Sequence, residues 1–426
     1  MEQDLLINKL LNVVKQDVFP ALGCTEPIAV AYASAIAKKH FQRTLDNMLI
    51  SVSKNIYKNG RFVIIPNTNE WGLDLAGALG FLSGNTENGF MVLENIDERL
   101  IESAHEMISS GKIKVQYLNH TPDVYVNVKV SGDNCSVEVE LKDSHTHIER
   151  ITVNGQAIYE ADKITKDSMS LDFIKDLTLK DIIEACERVP LDELQFIEDG
   201  IEMNRKVAEV GISEEIGLSI GQTYVKLLKD NRISLDAPTK ARILTAAACD
   251  VRMSGGSFPV MASGGSGNQG LGVVLPIVIV AEEQGVDREK LLRAVFLGHL
   301  INRYVKTFTG KLSGMCGCAI AAGIGASAGI TWMLGGDYDS INGACINMLA
   351  NLTGMICDGA KETCALKLST SASEAVISAY LAKENIVMRK NVGIIGDSIE
   401  NTIRNVGLMS KECFSSVDSM ILDIIK

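Results

Sequence analysis

Residues 311–367 read KLSGMCGCAIAAGIGASAGITWMLGGDYDSINGACINMLANLTGMICDGAKETCALK and hold five of the chain's ten cysteines: Cys316, Cys318, Cys345, Cys357 and Cys364. From Cys316 to Gly335 the residues are Gly, Ala, Ser and large apolar types without a charge. That is the pattern of a buried helix whose backbone neighbours can approach closely. A buried cysteine commonly packs as a small hydrophobe, which accounts for any one of the five taken alone. The grouping says more. Cys316 and Cys318 stand at the mouth of the Gly/Ala run, and Cys357 and Cys364 bracket DGAKET, a turn too polar for a core. A C-x6-C pair across such a turn, joined by a thiol from an earlier segment, is a pattern for a metal or iron–sulfur site, although it has no standard ferredoxin or zinc-finger spacing.

Around this stretch the sequence continues in helical period: Leu179–Glu187, Leu191–Val210, Ser213–Leu228, Pro238–Asp250, Arg288–Tyr304, Gly317–Leu334, Ser340–Gly354 and Ser371–Lys383. No repeat of fixed period emerges, which argues against a solenoid. Between residues 46 and 165 the period is two. LISVSKN, RFVIIPN, IKVQYLN, VYVNVKVSG, CSVEVELKD and THIERITVNG read as strands, interrupted by helices at Leu73–Leu82 and Glu98–Ser109. Asp162–Lys180 reads as a polar connector. The fold class expected is therefore α+β: a mainly helical, Gly/Ala-rich C-terminal domain and a smaller α+β domain with a largely antiparallel sheet. The expected division is residues 1–45, N-terminal helices that carry the GCTEP turn and pack on the C-terminal domain, 46–165, the α+β domain, and 166–426, the helical domain that carries the cysteine-rich stretch.

Composition narrows the function. With 46% hydrophobic and 22% charged residues the chain is globular rather than disordered. A net charge of −12 and the lack of a Lys/Arg stripe exclude a general nucleic-acid surface. The N-terminus is acidic where a secretory leader is basic. Leu271–Ala281 is too short to cross a membrane, and Cys316–Gly335 is built of small residues, so both read as buried helices and no membrane partner is expected. Ten cysteines without a secretory signal fit a reducing cytoplasm. A homo-oligomer is left open.

Two further motifs carry chemistry. Leu5, Leu6, Leu10, Val13 and Val14 mark a first helix that Pro20 stops; ALGCTEP then leads into a second helix ending near His40. Cys24, Thr25 and Glu26 thus stand at a helix N-terminus, where the backbone favours an anion and a thiol is expected to ionise more readily. The plainer alternative is an N-cap. Ser254–Gly272, SGGSFPVMASGGSGNQGLG, contains a formal GxGxxG at Gly265, Gly267 and Gly270. No βαβ context surrounds it, so a dinucleotide site is disfavoured. Its amides suit a small carboxylate, with Asn268 and Gln269 as side-chain donors; the alternative is a flexible turn. In DSHTHIER, His145 and His147 lie two apart, expected on one face of a strand as surface or site-lining groups.

GCTEP, GGSGNQGLG, SGMCGCAIAAG and CDGAKETC, in that order, resemble the L-cysteine desulfidase family, related to the iron–sulfur L-serine dehydratase alpha chain. The resemblance spans essentially the whole chain. It implies a 4Fe–4S cluster without pyridoxal phosphate and α,β-elimination from a small amino acid: L-cysteine to pyruvate, ammonia and sulfide, or, as the alternative, dehydration of L-serine. It implies Cys316, Cys357 and Cys364 as cluster ligands, with Cys318 close enough to exchange places with Cys316. It implies Cys24 as the proton acceptor, and Thr25, Glu26, Gly267, Asn268 and Gln269 as substrate contacts. A reading of another class is a zinc or thiol-based binding or redox protein using the same cysteines.

Overall fold

The structure, a computed structural model, describes residues 2–87, 89–162 and 172–425. Its fold is α+β, as the periodicities predict. Tyr125–Gly132 and Cys135–Lys142 pair antiparallel and alternate: Val126, Val128, Val130, Val137, Val139 and Leu141 are buried, while the opposite face carries the Asn127–Glu138 hydrogen bond of 2.9 Å. The six-stranded sheet runs in the order Ile113–Leu118, Asn47–Ser53, Tyr125–Gly132, Cys135–Lys142, Ile148–Val153, Gln156–Glu160. Only its first pair is parallel; every other pair is antiparallel.

The helix Thr25–His40 supplies Ile28, Val30, Ala33 and Ile36 to the core beneath this sheet. Both N-terminal helices were expected on the helical half; only Glu2–Asp17 is there, through Leu10, Val13 and Val14. The linker between them is therefore a crossing point. Helices close enough to make this layer need small residues. A Cβ on Gly80, in the helix Leu73–Ser83, would stand 2.1 Å from the Ala31 carbonyl oxygen.

The helical half is wrapped around Gly267–Gln284, Arg288–Thr309 and Gly323–Met333, each largely buried. A Cβ on Gly325 would lie 2.3 Å from the Gly298 carbonyl oxygen, so the last two helices touch backbone to backbone. Among the described residues, no helix is long and apolar enough to cross a membrane.

Three local readings change. RFVIIPN is not a strand: Ser53 caps the short helix Lys54–Gly60, and Ile64 makes only an isolated bridge to Trp71 before Pro66. The chain turns there instead: the Ile65 amide donates to the Glu70 carbonyl and the Thr68 amide to the Ile65 carbonyl. His145 and His147 precede the strand Ile148–Val153 rather than lying in it. Of the expected connector, residues 163–171 lie outside the described residues, and Leu179–Arg188 opens with a capping box between Thr178 and Asp181.

Gly80→Ala should lower stability by about 1–3 kcal/mol, because the new methyl meets backbone that cannot rotate away. A shift of the urea unfolding midpoint measures it. An unchanged midpoint would mean that the two helices are not held at this distance.

Candidate active site

Pro20–Ala21 pairs antiparallel with Val260–Met261, and the Ala262 amide donates to the Phe19 carbonyl over 2.9 Å. This small ribbon lays the GCTEP turn against the glycine-rich segment. Arg252, 2% exposed near the end of the helix Ala237–Met253, then joins them: its guanidinium donates to the Gly23 carbonyl at 2.6 Å and to Asn268 Oδ1 at 2.9 Å. A Cβ on Gly267 would sit 2.3 Å from Arg252 Nε. Gly267 makes room for that side chain, and it is not among the residues lining the site.

The cavity so formed has a volume of about 140 Å³ and is walled by Cys24, Thr25, Glu26, Asn268, Gln269, Cys316, Cys318, Cys357 and Cys364, with Asn59, His145, Arg252 and Lys306. Cys24 is the N-cap residue of Thr25–His40, but its side chain makes no capping bond. The thiol donates instead to Glu26 Oε2 at 2.9 Å, an oxygen that also accepts from the Thr25 hydroxyl at 3.2 Å. Asn59 Nδ2 donates to Glu26 Oε1 at 3.0 Å. The expectation that Cys24 ionises readily is overturned: burial, and then the Glu26 charge, push its thiol well above its ordinary range, and Arg252 offsets this only in part. Desolvation outweighs the helix terminus. Burial also acts against the Glu26 carboxylate, yet it is held below the usual range, ionised, and with His145 neutral the bonds from Cys24 and Asn59 are what hold it there. Burial holds His145 neutral, down to about 4.

Opposite lies a cationic wall. Lys306, 5% exposed, donates to the Gly264 carbonyl at 2.6 Å, and burial lowers its ammonium to about 8. Arg303 pairs with Asp17 at 3.3 Å. The glycine segment itself is less of an amide cradle than its composition implies. The amides of Ser263, Gly265 and Ser266 are consumed by Ser266, Asp17 and Ser263 carbonyls, and Gly267, Asn268 and Gln269 already form the first turn of a helix. The Asn268 side chain is spent on Arg252, Cys249 and Met253. Gln269 Oε1, buried, has no hydrogen-bond partner among the described residues.

The thiols come from separate backbone segments held in register. Met315 and Ile356 form an antiparallel bridge; the Cys316 amide donates to the Met355 carbonyl and the Cys357 amide to the Gly314 carbonyl, each at 2.8 Å. Cys364 is the first residue of the helix Cys364–Lys383. A π-helical turn, Cys318–Ala322, widens the backbone between this wall and Gly323–Met333, and the Cys318 carbonyl accepts from the Ser371 hydroxyl at 2.7 Å. A hydrogen bond from Cys318 lowers the Cys316 thiol to about 7, whereas burial raises Cys357, and raises Cys364 to about 12. Among the described residues, no three His, Cys, Asp or Glu side chains are gathered closely enough to hold a metal ion. The donor set still fits one: Cys316, Cys357 and Cys364 face one cavity and influence one another's charge, and thiolates are the ligands of iron–sulfur clusters.

Cys345 is buried in the helical core, away from this cavity. Reading the sequence missed Arg252, Asn59, Lys306 and Cys249, which lies within electrostatic reach of Cys364 and Cys316. No distinct sequence signal marks Arg252 or Lys306, because their helices carry other charges, Lys240, Arg242 and Asp250 in one and Arg288, Arg293 and Arg303 among those in the other.

The sequence matches the serine dehydratase alpha chain family over residues 87–423. A UPF0597 protein of Clostridium botulinum (strain Okra / Type B1) is 50% identical over 425 residues, covering 100% of this chain and 98% of its own length. A UPF0597 protein of Caldanaerobacter subterraneus subsp. tengcongensis is 42% identical over 427 residues, covering 100% and 99%. One from Clostridium tetani is 38% identical over 419 residues, covering 98% and 97%.

The Lys306 ammonium has a pH signature. Its value of about 8 in the folded protein lies below the ordinary 10.5, so between these limits the unfolded chain binds the extra proton. Its penalty is present below pH 8 and relieved as pH rises toward 10.5, a gain of roughly 3 kcal/mol. Urea unfolding at pH 7.5 and pH 10 should show this gain in the wild type relative to Lys306→Met. Equal pH slopes for the two proteins would contradict it.

Proposed function

The chain belongs to the serine dehydratase alpha chain family, and on that premise we propose that it is an iron–sulfur lyase that removes the β-substituent of a small amino acid, with L-cysteine as substrate. The observation that carries this reading is the convergence, on one enclosed cavity, of Cys24 with Glu26, of Arg252 and Lys306, and of the thiols Cys316, Cys357 and Cys364. Each group answers one need of an elimination: a proton acceptor, a charged anchor and a place for a metal that receives the leaving group.

In this reading Cys316, Cys357 and Cys364 hold a 4Fe–4S cluster, which supplies a Lewis acid for the departing sulfur or oxygen through an iron that lacks a protein ligand. No pyridoxal phosphate is needed. Arg252 and Lys306 attract the substrate carboxylate, and the free Gln269 oxygen accepts from its ammonium group. Cys24 takes the α-proton. The enclosed, low-dielectric cavity strengthens each of these charge contacts. The aminoacrylate product then hydrolyses to pyruvate and ammonia without further help. Glu26 is bonded to Cys24 and Thr25 to Glu26, so they enter through that thiol and carboxylate rather than as independent substrate contacts.

L-serine is the competing substrate, favoured by the family's description. The soft sulfur of cysteine is the better match to an iron held by thiolates. All ten cysteines are free thiols, which supports placing the enzyme in a reducing cytoplasm.

Protein purified without oxygen should be brown, contain about four irons per chain, and release sulfide and pyruvate in equal amounts from L-cysteine. Alanine at Cys316, Cys357 or Cys364 should abolish iron retention, while Cys318→Ala and Cys345→Ala keep it. Colourless, iron-free protein that stays inactive after anaerobic reconstitution would sink the proposal. Cys24→Ala should keep its iron and lose on the order of 10²-fold or more in kcat; near-normal turnover would remove Cys24 from the reaction.

A further inference from the structure

A thiol that must take a proton from carbon has first to lose its own, and Cys24 is badly placed to lose it to water: it is 3% exposed, and burial raises its pKa. Its Sγ donates to Glu26 Oε2 at 2.9 Å. The carboxylate is fixed for that contact, with Asn59 on its other oxygen and Thr25 on the same one. Three of its roughly four acceptor directions are thus taken. The charged and titratable groups facing the pair are His145 from the turn before Ile148–Val153, Arg252 from Ala237–Met253 and Lys306 from Arg288–Thr309. The latter two are cations and offer the thiol no acceptor.

We propose that Glu26 takes the thiol proton of Cys24, so that the two side chains act as a single acid–base pair in the elimination. This inference rests on the lyase reading above and replaces the expectation that Glu26 contacts substrate. In the resting pair the proton is on sulfur and the charge on the carboxylate. The S–H bond breaks and an O–H bond forms, leaving a thiolate beside a neutral acid. The thiolate takes the Cα proton, the Cα–H electron pair becomes the Cα–Cβ double bond, and the Cβ–S bond breaks with its pair on the departing sulfur. Glu26 returns its proton to that sulfur, which still carries its own hydrogen and so leaves as hydrogen sulfide, and the Cys24 thiol again faces a carboxylate. Both residues are then as they began, and no oxidant or reductant is consumed. Arg252 and Lys306 supply fixed positive charge near the anionic pair throughout.

Glu26→Gln keeps the shape and an acceptor for Asn59 but cannot take a proton. With iron content unchanged, kcat should fall on the order of 10²-fold or more while KM stays within a few-fold. Exchange of the Cα hydrogen of L-alanine for solvent deuterium, which needs no leaving group, should fall in parallel. Glu26→Asp, which restores a carboxylate, should recover part of both and serves if the glutamine variant does not fold. In metal-free protein, alkylation of Cys24 by iodoacetamide followed by peptide mass analysis should shift to lower pH in Glu26→Gln, because the repelling charge is gone. A raised KM with kcat intact would make Glu26 a substrate contact and overturn the assignment, as would an unshifted alkylation profile. If the wild type turns over no amino acid, the lyase reading fails by itself. The alkylation profile then decides whether the thiol and carboxylate form a coupled pair.

Discussion

Arg252 donates to the Gly23 carbonyl on one side and to Asn268 on the other while almost wholly removed from water, and the cavity depends on both bonds. A guanidinium without partners in that position would cost several kcal/mol, so the turn before one helix and the first turn of another are held where the charge is satisfied. The ribbon between Pro20–Ala21 and Val260–Met261 aligns the same two segments through backbone. Gly267 is the sequence's accommodation to this arrangement, since any side chain there would occupy the guanidinium's place. Cys24 and Gln269 belong to distant stretches of sequence, yet both line one cavity because one cation binds the two segments together.

Small residues do the corresponding work for the thiols. Gly323 would collide, if it bore a Cβ, with the Ser371 hydroxyl oxygen at 2.3 Å, and Gly317 with Gln269 Nε2 at 2.4 Å. The Gly/Ala run therefore allows Cys316 and Cys318 to approach both the glycine-rich helix and the helix that begins at Cys364. Close approach also buries these sulfurs, and burial raises a thiol's pKa unless a specific donor or charge opposes it. Packing density and thiol chemistry are set by the same residues.

Much of this was legible in sequence because it is local. Period-two alternation in VYVNVKVSG and CSVEVELKD places Val126, Val128, Val137 and Val139 on one face, and the structure buries them. The thiols around DGAKET, with Cys24, Asn268 and Gln269, share a wall as the motifs imply. What failed was non-local. RFVIIPN is apolar and β-branched but pairs with no strand, Ile64 making only an isolated bridge to Trp71. GSGNQG reads as a loop by glycine content, yet Gly270 is helical, and a Cβ there would be 1.9 Å from the Met261 carbonyl oxygen. Cys24 looked acidic from the helix terminus alone. Its environment is decided by Glu26 two residues on and by protein packed over it, which no spacing rule conveys. Arg252 and Lys306 were passed over because each is one charge among several in its helix and acquires meaning only from what surrounds it.

Charge also separates the thiols from one another. Each proposed ligand has a lysine that favours its ionised form: Lys367 for Cys316, Lys58 for Cys357 and Lys361 for Cys364. Lys58 is itself buried and anchored by Asp418 at 2.5 Å, so its charge is held in place rather than swinging in solvent. Cys318 receives only raising influences, from burial and from Cys316, Cys364 and Cys249, and it gives its hydrogen bond to Cys316. Cys345 is raised to about 12 by burial, with Glu400 adding to the effect. A metal that needs thiolates is best served where deprotonation costs least, and the lysines lower that cost at three of these positions. Between the adjacent Cys316 and Cys318, which spacing could not tell apart, the Lys367 charge acts on Cys316, the thiol proposed above as the ligand.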